Sequence, residues 1–411
     1  MNSTDQTVHQ TVNPTADQPL IGLAALTARA FRGEDLTPVA AQLTERMRSQ
    51  PGDAAARMDL ATICFLSHDP DRAMQLQAEA MAMQPRYRLS SAPINPELRL
   101  LALMGPGGLM DNLPLEFLLE GSAIGMDLHY MQPGASLPQD LADYDLLFVA
   151  VGESDDNRPL LQQLARQLCH CPVPVLNRPE HVMQTTREAA AAALQQVADI
   201  DMPISVRLDR AELEMLSLGG AVAQYLPDCD FPIIVRPVES HAGHGLERLD
   251  RPADINNYLT EQQETLFYIS RFVNYASADG QFRKYRVALI EGVPYLCHLA
   301  ISSHWIVHYL NADMLGNAEK CAEEAACMAT FDQGFGARYA RAFAAMYERM
   351  GLEYLIIDCA ETDDGRLLVF EVDTSAIVHA MDPIEIFPYK QPQMHKIFAA
   401  FQSMLMRGVG M

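Results

Sequence analysis

The 411-residue sequence predicts an α/β protein preceded by an all-α N-terminal domain. Three observations carry that expectation. Amphipathic helical patterns separated by short polar turns fill about residues 19–84. Apolar runs then alternate with helical segments between Leu98 and Leu176, as in a small, largely parallel sheet. Beyond residue 180, β-type runs come in pairs. The last pair, Tyr354–Cys359 and Leu367–Val372, flanks Thr362-Asp363-Asp364-Gly365. Asp-Gly between two apolar runs is a hairpin signal.

The composition bounds the function. At about 100–200 residues per domain, the length suits two or three domains. Apolar residues make up 49% of the chain, enough for sizeable cores. The formal net charge of −23 argues against nucleic acid as a partner, because duplex binding needs a basic footprint. An anionic ligand would need a local cationic pocket to overcome that field. Residues 1–18 are polar, read as a disordered tail and not as a signal peptide. No apolar run approaches the roughly 18–20 residues of a membrane helix. The eight cysteines lack a regular spacing, and Cys169 and Cys171 lack the second ligand pair of a structural zinc site. Free thiols and a cytoplasmic location are expected.

Four helices are expected at 19–31, 35–50, 54–68 and 71–84. The stretch Asp53–Pro85 comprises a helix, the polar turn Ser67-His68-Asp69-Pro70, a second helix and a final Pro. With Leu60, Ala61 and Ala73 in place, it resembles one tetratricopeptide repeat. Such a unit buries its apolar face against a neighbour. Residues 19–92 are therefore read as a helical scaffold domain, with a protein or carrier partner as the alternative use. Its Met74, Met81 and Met83 are read as core packing. A linker at 93–96 leads into an α/β domain over 96–180. Strands are expected at 98–103, 127–131, 144–151 and 173–176, and helices at 114–124 and 158–169. The loop Gly105–Gly108 could receive a phosphate or carboxylate, although it matches no dinucleotide or Walker pattern.

The remaining 181–411 reads as a two-part α+β domain, with parts at about 183–268 and 269–405. Strand Ile233–Arg236 runs into a loop where Gly243 and Gly245 let backbone amides approach an anion closely. Arg236 carries a positive charge to that loop, and Ser240, His241 and His244 add hydrogen-bonding groups. Hairpins follow at 283–302 and 354–372, with helix between 321 and 350 and a closing helix at 391–406. Strand side chains alternate faces, so Glu371 and Asp373 share one face and Asp358 can lie across from them. Three carboxylates on one apolar sheet repel each other unless a cation or protons neutralise them. All-oxygen ligands suit Mg²⁺, with Mn²⁺ as the alternative.

Taken in order, these segments resemble the ATP-grasp superfamily, in particular members like glutathione synthetase and the ribosomal-protein glutamate ligases. The order is strand, basic residue, Gly-x-Gly loop; then Phe267-Tyr268-Ile269-Ser270-Arg271-Phe272; then Lys284-Tyr285-Arg286; then the carboxylate hairpin. The resemblance covers about residues 98–405. It implies a carboxylate–amine ligase that binds ATP, passes through an acyl phosphate and releases ADP and phosphate. It further implies that Asp358, Glu371 and Asp373 hold the metal. Arg187 and Arg236 would contact nucleotide, with Arg standing where the family has Lys, and Ile269, Arg271 and Phe272 would form the hinge against adenine. Arg286 and Arg236 would offset charge on the transferring phosphoryl, with Arg283 a further catalytic candidate from the segment that lines the acceptor side. Trp305, His308, Tyr309, Asn311 and His379 fall on the side of an amino acid, peptide or other small carboxylate. The family's Glu-x-Asn is Glu371-Val372-Asp373 here, and its acid in the hinge strand is Ser270. Those departures keep a second reading open: a non-catalytic nucleotide-binding scaffold whose helical domain holds a partner protein. Homo-oligomerisation stays open in both.

Overall fold

A computed structural model describes residues 18–238, 240 and 243–410. The expected tail, apart from Gln18, and His241 lie outside the described residues. Four helices open the chain: α1 (Leu23–Phe31), α2 (Thr37–Ser49), α3 (Ala54–Leu66) and α4 (Pro70–Met83). Local chemistry sets two of the starts. Asp53 accepts the Ala56 N–H at 2.8 Å to cap α3, and Asp69 caps α4, whose first residue is Pro70. One set of apolar residues, including Leu26, Leu43, Leu60, Ala61 and Leu76, packs among the helices. Ala54, Ala55, Met58, Ala80 and Met81 pack instead on the neighbouring sheet, so the helices cap the α/β layer. Met81 is buried, but Met74 and Met83 are exposed, so core packing holds for one of the three methionines.

The first sheet contains β1 (Arg86–Arg88), β2 (Leu98–Met104), β3 (Ile124–Tyr130), β4 (Leu146–Val149) and β5 (Val175–Leu176), in the order β1-β3-β2-β4-β5. All its pairings are parallel except that of the short edge strand β1, which the sequence reading had not foreseen. The helix expected over 114–124 shrinks to Leu115–Leu118. The Gly105–Gly108 loop is closed from within. Its amides donate to Asn112 Oδ1 at 2.7 Å, Gln77 Oε1 at 2.9 Å and Asp111 Oδ2 at 2.5 Å. With those donors committed, the loop does not offer the phosphate cradle expected of it.

Two further sheets follow. After β6 (Ile200–Asp201) come β7 (Ser205–Asp209), β8 (Ile233–Pro237), β9 (Glu247–Leu249) and β10 (Leu266–Arg271). β7 to β10 form an antiparallel sheet ordered β7-β10-β8-β9, backed by helices Arg210–Ser217 and Asp254–Glu261. The third sheet, β12-β11-β13-β14-β6, is built from β11 (Phe282–Ile290), β12 (Val293–Ser302), β13 (Tyr354–Glu361), β14 (Leu367–Asp373) and the returning β6. The helix expected over 321–350 is broken into Ala318–Thr330, Phe335–Arg338 and Ala340–Met350. The break comes at Gly334, where a side chain would meet the Thr330 carbonyl at 3.0 Å. Helix Lys390–Gly408 closes the chain over the sheets.

Register is irregular at one level of the third sheet. The β11–β12 pairing shifts beside Arg286, leaving Cys297 unpaired. The β13–β14 pairing shifts beside Asp358, leaving Phe370 unpaired. Arg286 and Asp358 are themselves register partners, so both bulges flank the same pair. Bulges re-aim side chains and gather at functional sites.

Candidate functional site

Alternation along β11 sends Lys284 and Arg286 to one face of the sheet and Arg283 to the other. On the first face, Asp358 stands between Arg286 in β11 and Glu371 in β14. Arg286 donates to both oxygens of Asp358, Nε to Oδ1 at 2.8 Å and Nη2 to Oδ2 at 3.0 Å. Lys284 Nζ adds a contact to Oδ2 at 2.7 Å. Asp358 is buried, and against the cost of that burial the two cations hold its carboxyl well below the usual carboxylate range.

Glu371 has a different partner. Arg187, the first residue of helix Arg187–Leu194, places Nη2 2.8 Å from Glu371 Oε1 and donates through Nη1 to the carbonyl of the bulged Phe370 at 3.1 Å. Asp373 has no cation in contact among the described residues. Ser375 donates its amide and hydroxyl to Oδ1 at 2.7 and 3.0 Å. Burial and the neighbouring Glu371 charge push the Asp373 carboxyl above its usual value.

Arg236, at the end of β8, donates to Ser240 Oγ at 3.1 Å through Nε and also reaches the Ser240 carbonyl. Burial, then the charge of Arg187, lower its pKa to about 10. Gly245 closes the same loop in the left-handed region at φ +62, with Pro237 Cδ 2.7 Å from where a Cβ would sit. The guanidiniums of Arg187 and Arg236 are thus neighbours, and Arg187 is the one in contact with Glu371. In all, Arg187, Arg236, Lys284 and Arg286 surround Asp358, Glu371 and Asp373. This is the local cationic pocket that a chain of net charge −23 needs to attract an anion.

The carboxylates fit a divalent cation only in part. Among the described residues no group of three or more His, Cys, Asp or Glu is placed to hold a metal ion. Asp358 does not fit: Arg286 and Lys284 engage both of its oxygens, which corrects its expected place among three metal acids. The sequence pattern could put Asp358 on the right face but not show that two cations flank it. Glu371 and Asp373 lie two apart on one strand face and offer two carboxylates there; against the cost of burial Arg187 and then Arg236 hold the Glu371 carboxyl below its usual value, whereas that of Asp373 is raised.

Other expected site residues are placed as follows. Arg283 lies on the opposite face, paired with Asp279 at 2.8 Å and Glu323 at 2.5 Å, away from the acids. Ile269 is buried in the central strand β10, with backbone flanked by β7 and β8, so it cannot turn that backbone to adenine. Arg271 pairs with Asp201, and the Phe272 amide donates to the Pro232 carbonyl at 3.2 Å. Backbone free for a ligand therefore begins past that point. Trp305 packs edge-on against Phe272 at 5.5 Å. Tyr309 donates to the buried Glu324 at 3.1 Å, and Asn311 accepts the His308 amide at 2.8 Å, so both brace a loop. His308 remains near the site, its pKa lowered by burial and then by Lys284 and Arg286. His379 sits between the rings of Phe31 and Phe117, at 5.8 and 6.2 Å. His244 is exposed on the glycine loop.

Sequence reasoning missed Lys284 as a partner of Asp358, although it stood in the quoted Lys-Tyr-Arg. It also missed a bridge beside Arg236. Arg207 on β7 contacts Asp155 at 2.5 Å, Glu188 at 2.7 Å and Tyr268 Oη at 2.9 Å, joining the four-stranded sheet to the α/β layer and to the Arg187 helix. No local pattern in the sequence marks that bridge.

No family model matches the chain, and no curated protein matches it. Solved structures do. One is the RimK domain protein ATP-grasp of Sphaerobacter thermophilus DSM 20745, 15% identical, matched over 75% of this chain and 99% of that one, with a TM-score of 0.42. Another is the VanG D-Ala:D-Ser ligase of Enterococcus faecalis, 11% identical over 75% and 99% of the two chains, with a TM-score of 0.46. No helix among the described residues is long and apolar enough to cross a membrane.

Proposed function

We propose that the protein is an ATP-dependent carboxylate–amine ligase acting on an amino acid, peptide or related small carboxylate. The observation that carries this reading is the meeting of four cations and three carboxylates between β8, the Arg187 helix and the third sheet. A polyphosphate would accept from the neighbouring guanidiniums of Arg187 and Arg236. Glu371 and Asp373 would hold the accompanying Mg²⁺, which when bound offsets phosphate charge as a Lewis acid.

The chain's own part in the reaction is positioning and charge stabilisation. Arg236 and Arg187 bind and orient the phosphates. Arg286, anchored on Asp358, presents a fixed positive charge to the phosphoryl as it moves. A substrate carboxylate oxygen attacks the γ-phosphorus, the bond to the β–γ bridging oxygen breaks, and ADP leaves. The amine nitrogen then attacks the acyl carbon, the C–O bond to phosphate breaks, and the amine loses a proton. The loop at Gly243–Gly245 excludes water that would hydrolyse the acyl phosphate.

The test is a screen of amino acids and small carboxylates, paired with amines, for ADP release, with product masses. Stoichiometric ADP and phosphate with a new amide supports the ligase, and Glu371→Gln should abolish that turnover while leaving the fold intact. A second reading is a nucleotide-binding scaffold without turnover, and one feature favours it: Asp358 is engaged by two cations. Tight ATP binding with no ADP from any pair in the screen would support the scaffold and overturn the ligase.

A further inference from the structure

We propose that His298 is the catalytic residue that takes the proton from the attacking amine. The inference rests on the ligase reading above, whose second half releases a proton that needs an acceptor.

The pairing register builds a row across four strands of the third sheet. Glu371 on β14 pairs with Asp358 on β13, Asp358 with Arg286 on β11, and Arg286 with His298 on β12. Directly opposed residues of an antiparallel pair share one face. The row therefore starts at the Arg187 and Arg236 end, passes Arg286 and finishes at His298 on an edge strand. With phosphates at the first end and Arg286 on the transferring phosphoryl, the acyl group and then the amine come next along the row. The β11–β12 register also shifts just past the Arg286–His298 pair, leaving Cys297 unpaired. A bulge of this kind re-aims the side chain beside it.

His298 is held from two sides. Its ring lies 4.8 Å from that of Tyr309, tilted by 54°. Tyr309 donates to Glu324 Oε2 at 3.1 Å, and Glu324 Oε1 accepts the amide of Leu299, the residue after His298, at 3.0 Å. Tyr389 donates to the same buried acid at 2.7 Å. One carboxylate thus fixes both the strand that carries the imidazole and the ring that faces it. The imidazole Nδ1 is itself buried and has no hydrogen-bond partner among the described residues. A histidine that only braced the fold would commit that nitrogen. The residue as a whole is half-buried, so the ring meets the open side of the sheet through its other edge, which carries Nε2.

The charges facing the ring are Arg286 and Lys284 from β11, Asp358 from β13 and Lys390 from the closing helix. Burial and then Arg286 put its pKa well below the usual value, so the ring is neutral when substrate arrives. The same cations disfavour an ammonium ion, and the amine enters as the free base. Its lone pair attacks the acyl carbon, the C–N bond forms and the nitrogen becomes positively charged. The proton then passes to the Nε2 lone pair of the tautomer that carries hydrogen on Nδ1, and the C–O bond to phosphate breaks. The imidazolium forms as phosphate departs with the bonding electrons, and it returns its proton to solvent.

The test separates the two halves of the reaction, using the acid and amine that the screen returns. Hydroxylamine attacks an acyl phosphate without help from a base, so hydroxamate reads the first half and amide the second. His298→Gln is expected to keep hydroxamate formation within about twofold of the wild type and to lose amide formation by about 100-fold. His298→Ala repeats the measurement should the glutamine variant fold poorly, and added imidazole is expected to restore part of its amide rate. Amide formation that is unchanged in a folded variant, or that falls in step with hydroxamate, overturns the inference. No hydroxamate from the wild type with any acid in the screen overturns the ligase reading, and the role of His298 with it.

Discussion

Arg286 closes on the buried Asp358 through two hydrogen bonds, at 2.8 and 3.0 Å, at the level of both sheet bulges. With Lys284 as a third member, this is an internal ion cluster before it is anything else. Its acid serves by holding a cation in place. That gives Arg286 a fixed position from which to act on a phosphoryl group, at little reorganisation cost during the reaction.

Asp358→Asn is expected to leave two partly buried cations poorly compensated and to destabilise the fold by about 3 kcal/mol. Urea denaturation followed by circular dichroism measures this. A neutral effect on stability combined with lost Mn²⁺–ADP binding would return Asp358 to the metal.

Gly152 sits against the residue that holds Asp373. A Cβ there would lie 2.8 Å from Ser375 Oγ and 2.9 Å from Ser375 Cβ. Gly152→Ala should therefore cost about 1–3 kcal/mol through overpacking. It should also weaken Mn²⁺–ADP binding, because Ser375 orients Asp373. Calorimetric titration checks the second part; unchanged affinity in a destabilised variant would separate Ser375 from the site.

Arg283→Ala should leave ADP affinity unchanged and lower stability by no more than about 1 kcal/mol, since its ion pairs lie half in solvent on the far face of the sheet. A marked loss of ADP binding would mean that the strand presents its other face to the ligand.

The start of α1 titrates. Asp59 accepts the amides of Ile21 and Gly22 at 2.8 and 3.1 Å, and Glu116 those of Leu23 and Ala24 at 3.1 and 2.8 Å. Burial raises the first acid to about 6 and the second to about 7. Their unfolded values are about 3.9 and 4.3. The folded chain therefore holds more protons between about pH 4 and 7, and its stability falls as pH rises through that window. The Tm of the wild type should drop by a few degrees more between pH 5 and pH 8 than that of a Glu116→Gln variant. Parallel curves would show that Glu116 does not contribute.

Much of the architecture was legible along the chain. Apolar periodicity and the Asp-Gly turn act within a few residues, and the helices and most strands appear where those signals place them. The misreadings share a cause. Short elements such as β1 and β6 exist only because a neighbouring strand pairs with them. The helix over 321–350 breaks where one glycine backs onto a carbonyl. The family resemblance implies a nucleotide hinge at Ile269, but a central strand spends its backbone on both neighbours.

Alternation at period two was enough to put Asp358, Glu371 and Asp373 on one face, and composition was enough to require a local cationic pocket for any anion. Which cation meets which acid belongs to the assembled fold. Arg286 and Asp358 are 72 residues apart, and Arg187 is 183 residues from the Phe370 carbonyl it binds. Charge interactions at 3 Å depend on where distant strands and helices come to rest, and no short-range pattern records that distance. The three acids thus end in three settings: Asp358 in an ion cluster with Arg286 and Lys284, Glu371 paired with Arg187, and Asp373 held by Ser375.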